Sequence, residues 1–326
     1  MEGINFAAID IGTNAARLLI KNIDHNPLGE TKYRKILFIR YPLRLGDDVF
    51  DTGRIGKERA KMMMRMIKGF KQMMRMYDVT DYRACATSAM RDADNGHKLI
   101  KEIAKRTGVT IEIIEGKEEA GILYSNHLQK LPDREGTFVY VDVGGGSTEV
   151  TLIHKGRLVG SMSYNIGTIR LLHRAVRDDI VDGLRSDMEA MHAQYGPINI
   201  IGSGGNINKL FRLAGSYCNR NLNNGDDTTA DIVSKKDLRM PIAALRNMHE
   251  QLQPLSIEER MDRFSLKPDR ADVIVPAAEV FLIIADCIKA QYIYVPTIGL
   301  ADGIIGELYA KRQAKVEADY NRALNS

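Results

Sequence analysis

The sequence predicts a duplicated α/β protein built as two lobes. An internal repeat is the first reason: Phe6-Ala7-Ala8-Ile9 ends on Asp10 and enters Ile11-Gly12-Thr13-Asn14, and Phe138-Val139-Tyr140-Val141 ends on Asp142 and enters Val143-Gly144-Gly145-Gly146-Ser147. Around these copies strand-like and helix-like segments alternate, the pattern of a sheet with helices packed on its faces. The length of 326 residues exceeds one average domain and suits two.

The elements follow in order. Each copy runs on into a second strand-like segment, Ala16 to Ile23 and Glu149 to His154, so each reads as a β-hairpin with a carboxylate beside its tip. Further strands are expected over Lys35 to Arg40, Tyr82 to Ala86 and Thr110 to Ile114. Helices are expected over Gly56 to Tyr77, over Ala93 to Thr107 where Gly108 stops it, and over Lys117 to Lys130 ahead of Pro132. After the second copy come a strand at Arg157 to Tyr164, a helix from Thr168, a short buried strand at Ile198 to Ile201, a glycine-rich turn and a helix over Asn206 to Leu213. Asn219 to Thr229, rich in Asn, Asp and Gly, reads as a loop. The C-terminal third is mainly helical, with a strand at Tyr292 to Val295, the segment Gly299-Leu300-Ala301-Asp302-Gly303 and a last amphipathic helix to Leu324 that crosses back to the first lobe. The domains are therefore expected at 1–132 with 303–326, and at 133–302.

Composition removes several classes of function. No apolar run reaches the ~18 residues of a membrane span, and the start of the chain lacks the pattern of a secretory signal, so no membrane role and a cytoplasmic location are expected. The three cysteines, Cys85, Cys218 and Cys287, are too dispersed for a disulfide framework or thiolate metal site and read as reduced, mostly buried thiols. A net charge of +4, no Trp and no basic run interleaved with aromatics argue against a nucleic-acid partner while suiting a polyanionic substrate. The Met-rich segment from Met62 to Met76 reads as a packing helix by its periodicity, with an adaptable partner surface as the alternative.

Candidate chemistry gathers at the turns. Glycines let backbone N–H groups approach phosphate oxygens, and a strand-end Asp holds a hydrated divalent cation against the same oxygens. Asp10 with Gly12, Thr13 and Asn14 makes one such device, and Asp142 with Gly144, Gly145, Gly146 and Ser147 a second. Either alone could close an ordinary hairpin; the matched pair favours phosphate. Glu149 stands two residues beyond Ser147, where it shares metal or water with Asp142 or is a solvated strand carboxylate. The turn Gly202-Ser203-Gly204-Gly205-Asn206 opens a helix whose N–H groups suit an anion. Arg91 follows the hydroxyls Thr87 and Ser88, with bidentate phosphate contact and an ordinary surface arginine as equal readings. Glu118 and Glu119 begin a helix, where acids suit the first turn of any helix but one could also deprotonate water. No HExxH or GxSxG spacing is present, which removes zinc- and serine-hydrolase chemistry.

In order, DIGTNA from Asp10, RLGDDVFDTGRI from Arg44, ATSAMRDADN from Ala86, IEGKEEA from Ile114, DVGGGSTEV from Asp142, GSGGN from Gly202, RADVIVPA from Arg270 and GLADG from Gly299 resemble the exopolyphosphatase/guanosine-pentaphosphatase family, Ppx/GppA. The resemblance covers almost the whole chain and implies two duplicated ribonuclease H-like, actin-like ATPase domains with a cleft between them. It implies a Mg²⁺-dependent hydrolase that releases terminal phosphate from inorganic polyphosphate, or the 5′ γ-phosphate of guanosine pentaphosphate. Carried over by position, Glu119 matches the catalytic base; Arg91, Gly145, Gly146 and Ser147 match phosphate-gripping positions; Asp142 and Glu149 match the metal acids. Ala15 stands where the family usually has Ser, Ala277 where a Gly is common, and Ala301-Asp302 where Arg-Glu is frequent. The resemblance also marks a short form, expected to be less processive than longer members, and a homodimer is an admitted assembly. An ATP-dependent kinase and a nucleotide-sensing scaffold remain alternatives on the same fold.

Overall fold

The computed structural model describes residues 3–25, 29–127, 133, 135–222, 233–234, 236–296 and 299–324. The chain divides into two compact units, Met1–Asn126 with Gly299–Ser326, and His127–Ile298.

The first unit contains β1 (Ile4–Ile11), β2 (Ala16–His25), β3 (Thr31–Tyr41), α1 (Leu45–Thr52), α2 (Lys57–Met76), β4 (Asp81–Ala86), α3 (Ser88–Asp92), α4 (Gly96–Thr107), β5 (Glu112–Ile113) and α5 (Gly116–His127). Its strands lie in the order β3-β2-β1-β4-β5. The hairpin partners β1, β2 and β3 are antiparallel, whereas β4 and β5 join β1 in parallel through helical crossovers. β1 is central and buried on both faces, which explains its nearly unbroken apolar run. β3 is an edge strand whose first half is exposed and rich in Lys and Arg. The Met-rich helix α2 sends Met63, Met66 and Met74, with Ile67 and Phe70, into the core, while Met76 is exposed.

The second unit contains β6 (Thr137–Val143), β7 (Thr148–His154), β8 (Arg157–Tyr164), α6 (Thr168–Leu172), α7 (Asp178–Tyr195), β9 (Asn199–Ser203), α8 (Gly205–Leu222), β10 (Arg239–Pro241), α9 (Ile242–Leu252), α10 (Ile257–Phe264), α11 (Pro268–Ala271), α12 (Ile274–Cys287) and β11 (Tyr292–Tyr294). Its strand order is β10-β11-β9-β6-β7-β8. Matching β6, β7, β8, β9 and β11 to β1 through β5 reproduces the order and directions of the first sheet, with β10 added antiparallel at the edge. α12 is apolar around most of its circumference and is correspondingly buried, Ala277 completely so.

Several local expectations differ from the structure. α8 runs on to Leu222, so the first part of the expected loop at Asn219 to Thr229 is helical; its remainder, and the expected helix end at Lys130, lie outside the described residues. The segment from Gly299 to Gly303, expected to precede the last helix, is the start of α13 (Leu300–Leu324): Asp302 accepts the Gly299 N–H at 3.0 Å in its first turn. α13 packs on β1, β2 and β4 of the first unit, and Leu300, Ala301, Ile304, Ile305 and Leu308 are buried along it. The stub helices α1, α3 and α6 have too few turns to show a helical period in sequence. Cys85 and Cys287 are free thiols, Cys85 buried with its pKa pushed up to about 12 by desolvation; the Cys218 side chain lies outside the described structure. No described helix is long and apolar enough to cross a membrane.

Candidate active site

The two repeated hairpins close in the same way. Gly12 N–H donates to Ala15 at 3.2 Å in the first, and Gly144 N–H to Ser147 at 2.9 Å in the second. Each turn is also backed by the start of a helix. In the first unit the Asn14 carbonyl accepts from Arg44 at 2.8 Å and that of Thr13 from Gly46 at 3.1 Å. An ion-pair lattice of Arg44, Asp47, Asp48 and Arg59 fixes this receiving segment, which gives the RLGDDVF motif its structural purpose. In the second unit the Gly144 carbonyl accepts from Thr168 at 3.0 Å, that of Gly145 from Ile169 at 2.8 Å and Arg170 at 3.1 Å, and that of Gly146 from Arg170 Nε at 2.8 Å. In a trans peptide the C=O and the following N–H point in opposite directions. With three consecutive carbonyls turned toward α6, the N–H groups of Gly145, Gly146 and Ser147 are turned away from it, an orientation that suits contact with an anion.

Gly167 makes this arrangement fit, and no pattern around it in the sequence signals so. A Cβ there would lie 2.4 Å from backbone atoms of Gly145 and Gly146, which cannot yield as a side-chain end would. Gly167→Ala is therefore expected to lower stability by about 1–3 kcal/mol through overpacking, and to weaken phosphate binding more than that loss alone explains. Thermal unfolding and substrate affinity measured on the same preparation check both parts.

One residue back from each tip, strand register aligns four side chains on one face of the sheet. Cys85, Asp10, Arg17 and Arg40 form the row in the first unit, and Ser203, Asp142, Glu149 and Ser163 the equivalent row in the second. The duplication has thus inverted its charge. In the first row the buried Asp10 is ion-paired with Arg17, and Arg40 stands directly beyond Arg17. In the second, buried Glu149 Oε1 accepts from Ser147 Oγ at 2.7 Å and Ser163 Oγ at 3.0 Å, while Ser203 Oγ donates to Asp142 Oδ2 at 3.4 Å. One carboxylate among two guanidiniums favours an anion; two carboxylates set among hydroxyls favour a cation. Ala15 occupies the position of Ser147, and its counterpart of Glu149 is an arginine, so no carboxylate stands there for a hydroxyl to serve.

The remaining candidates in the first unit are linked in series. Thr13 is buried, and its hydroxyl accepts the Ala89 N–H of α3 at 3.2 Å. Arg91 lies within α3 rather than in a loop ahead of a helix, and its Nη1 donates to the Ile114 carbonyl at 2.6 Å. Glu115 accepts the Glu119 N–H at 2.9 Å, so Arg91 braces the segment from which α5 starts. Glu119 is buried in the first turn of α5, whereas Glu118 is half-exposed. Asp10, Gly12, Thr13, Asn14, Arg91 and Glu119 accordingly all belong to the first unit, and the other predicted positions to the second.

In the second unit Gly204 adopts φ +100°, and a Cβ on it would sit 2.8 Å from Asp142 Oδ1. A Cβ on Gly205 would sit 2.6 Å from Arg270 Nη1, and Arg270 also donates to Asn206 Oδ1 at 3.0 Å. Burial first, then Arg212 and Arg270, lower the pKa of Lys209 on the same helix. The sequence contained Arg270 within a motif but gave it no partner.

Comparison with known proteins identifies the family and the fold. Residues 31–312 match the model of the Ppx/GppA phosphatase family. The chain belongs to that family. Exopolyphosphatase 2 of Mycobacterium tuberculosis is 28% identical over 285 residues, 82% of this chain and 86% of that protein. The crystal structure of the Aquifex aeolicus family member superposes with a TM-score of 0.71 at 25% identity, covering 94% of this chain and 98% of that one. An exopolyphosphatase from Cytophaga hutchinsonii shares the fold with a TM-score of 0.77 at 22% identity, covering 93% and 97% of the two chains. The two-domain α/β fold is that of this family and of the actin-like superfamily to which it belongs.

Proposed function

We propose that the chain is an exopolyphosphatase that releases terminal phosphate from inorganic polyphosphate by attack of water, on two ribonuclease H-like domains. The observation that carries this reading is the inverted pair of rows: the same hairpin offers guanidiniums in one unit and carboxylates in the other. The transition state of phosphoryl transfer spreads charge over oxygens that cations and N–H donors stabilise; a guanidinium row draws a polyanion, and a carboxylate pair would hold a metal ion. The Mycobacterium tuberculosis relative is named as an exopolyphosphatase, which supports the choice of substrate.

The donor set fits Mg²⁺. This ion keeps several waters and takes one or two protein carboxylates together with substrate phosphates, so Asp142 and Glu149 suffice; among the described residues no group of three or more His, Cys, Asp or Glu forms the fuller cage other metals favour. Asp142 and Glu149 would hold the ion, which when bound neutralises phosphate charge. The N–H groups of Gly145, Gly146 and Ser147 bind and orient the terminal phosphate oxygens. Glu119 takes the proton of a water directed in line at the terminal phosphorus. Arg17 and Arg40 attract the polyanion, and Asp10 holds Arg17 in place.

Phosphate release, measured with polyphosphate, guanosine pentaphosphate and ATP in the presence and absence of Mg²⁺, tests the proposal. Mg²⁺-dependent release from polyphosphate without nucleotide or acceptor is the expected result. Preferential release from guanosine pentaphosphate would move the assignment within the family. Dependence on an acceptor would indicate a kinase, and nucleotide binding without release a sensor.

A further inference from the structure

Arg83 on β4 gathers three carboxylates from three elements. Its Nη2 donates to Glu118 Oε1 on α5 at 2.5 Å and to Glu112 Oε2 on β5 at 2.8 Å, its Nε to the same Glu112 oxygen at 3.0 Å, and its Nη1 to Glu307 Oε2 on α13 at 3.1 Å. The Arg83 side chain is only 12% exposed while those of Glu112 and Glu118 are about half exposed. Burial works against its charge, yet hydrogen bonds to Glu112 and Glu118 outweigh it and hold the guanidinium pKa above its ordinary value. Isolated surface ion pairs contribute little, but one guanidinium shared by three partners fixes the relative placement of all of them.

The placement matters because of what adjoins Glu118. Glu119 is the next residue, and both lie in the first turn of α5, the part of a helix least constrained by its own hydrogen bonds. The next turn of α5 is held from another side: a Cβ on Gly303 of α13 would lie 2.6 Å from the Ile122 carbonyl, so the two helices meet at backbone distance. We propose that Arg83 is a positioning residue for Glu119, acting through Glu118 to lock the first turn of α5 against β4, β5 and α13. This rests on Glu119 being the base. Arg83 orients that carboxylate toward water without touching substrate.

Full-length Arg83→Met, Arg83→Lys and Glu119→Gln proteins, assayed with polyphosphate for kcat, KM and thermal unfolding, test the assignment. Misplacing a reacting group by 1 Å can cost ~10²-fold, so Arg83→Met is expected to lower kcat at least ~10-fold while KM stays within ~2-fold. Arg83→Lys is expected to recover part of kcat, because an ammonium restores charge but not the planar fork. An unchanged kcat in folded Arg83→Met would overturn the proposal, as would a loss falling equally on the Lys variant or appearing mainly in KM. Should Arg83→Met not fold, Glu118→Gln and Glu307→Gln replace it: a larger loss of kcat for Glu118→Gln supports the proposal, and equal or reversed effects overturn it. Full turnover by Glu119→Gln would remove the base itself and the proposal with it, whereas inactive Glu119→Gln beside fully active Arg83→Met would remove only the positioning role.

Discussion

Replacing Glu119 with Gln is expected to leave polyphosphate binding within a few-fold of normal while lowering kcat by ~10²–10⁴, the usual worth of a general base. The substitution keeps the shape of a buried side chain in the first turn of α5 and removes only its ability to accept a proton. The turn at Gly145, Gly146 and Ser147 and the guanidinium row are untouched, so affinity is retained. Single-turnover phosphate release beside equilibrium binding separates the two quantities. A variant that binds poorly but turns over normally would place Glu119 among substrate contacts instead.

Asp142→Asn should have the second large effect, and a different signature. Neutralising one of the two carboxylates that favour a cation is expected to move half-maximal activity to higher Mg²⁺ and to cost several kcal/mol of transition-state stabilisation, or ~10²–10³ in rate. The isosteric amide retains an acceptor for Ser203 Oγ, so thermal unfolding should change little. Asp10→Asn is the informative contrast. Asp10 is the partner of Arg17 and not part of a carboxylate pair, so the Mg²⁺ dependence of that variant should stay where it is. Rates measured across a Mg²⁺ titration for both variants check this directly. Equal shifts would mean that the two rows do not differ in the way their charges indicate.

That contrast also shows what was legible in the sequence and what was not. The hairpins were legible because their apolar runs, terminal Asp and glycine tips are local patterns of a half-buried or buried strand. The placement of Ser147 and Glu149 on one face of the outgoing strand followed from strand alternation. The charge inversion was hidden, because Arg17 and Glu149, equivalent in the repeat, come to stand beside Asp10 and Asp142 only through the antiparallel register. Gly167 was missed because its constraint is a backbone approach to Gly145 and Gly146, a tertiary contact with no propensity signal. Arg83 was missed for a similar reason: its partners are 29, 35 and 224 residues away and meet only after β4, β5, α5 and α13 assemble. The stub helices are held at their first N–H groups by the turns, α1 by the Thr13 carbonyl, α3 by the Thr13 hydroxyl and α6 by the Gly144 and Gly145 carbonyls, and not by their own periodicity.

Water as the nucleophile at the terminal phosphorus is the central claim, and hydrolysis of polyphosphate in ¹⁸O-labelled water tests it most directly. Every released orthophosphate should carry one ¹⁸O from solvent, and the shortened chain should carry none. Label in the remaining chain, or phosphate appearing on an acceptor without solvent oxygen, would contradict the account.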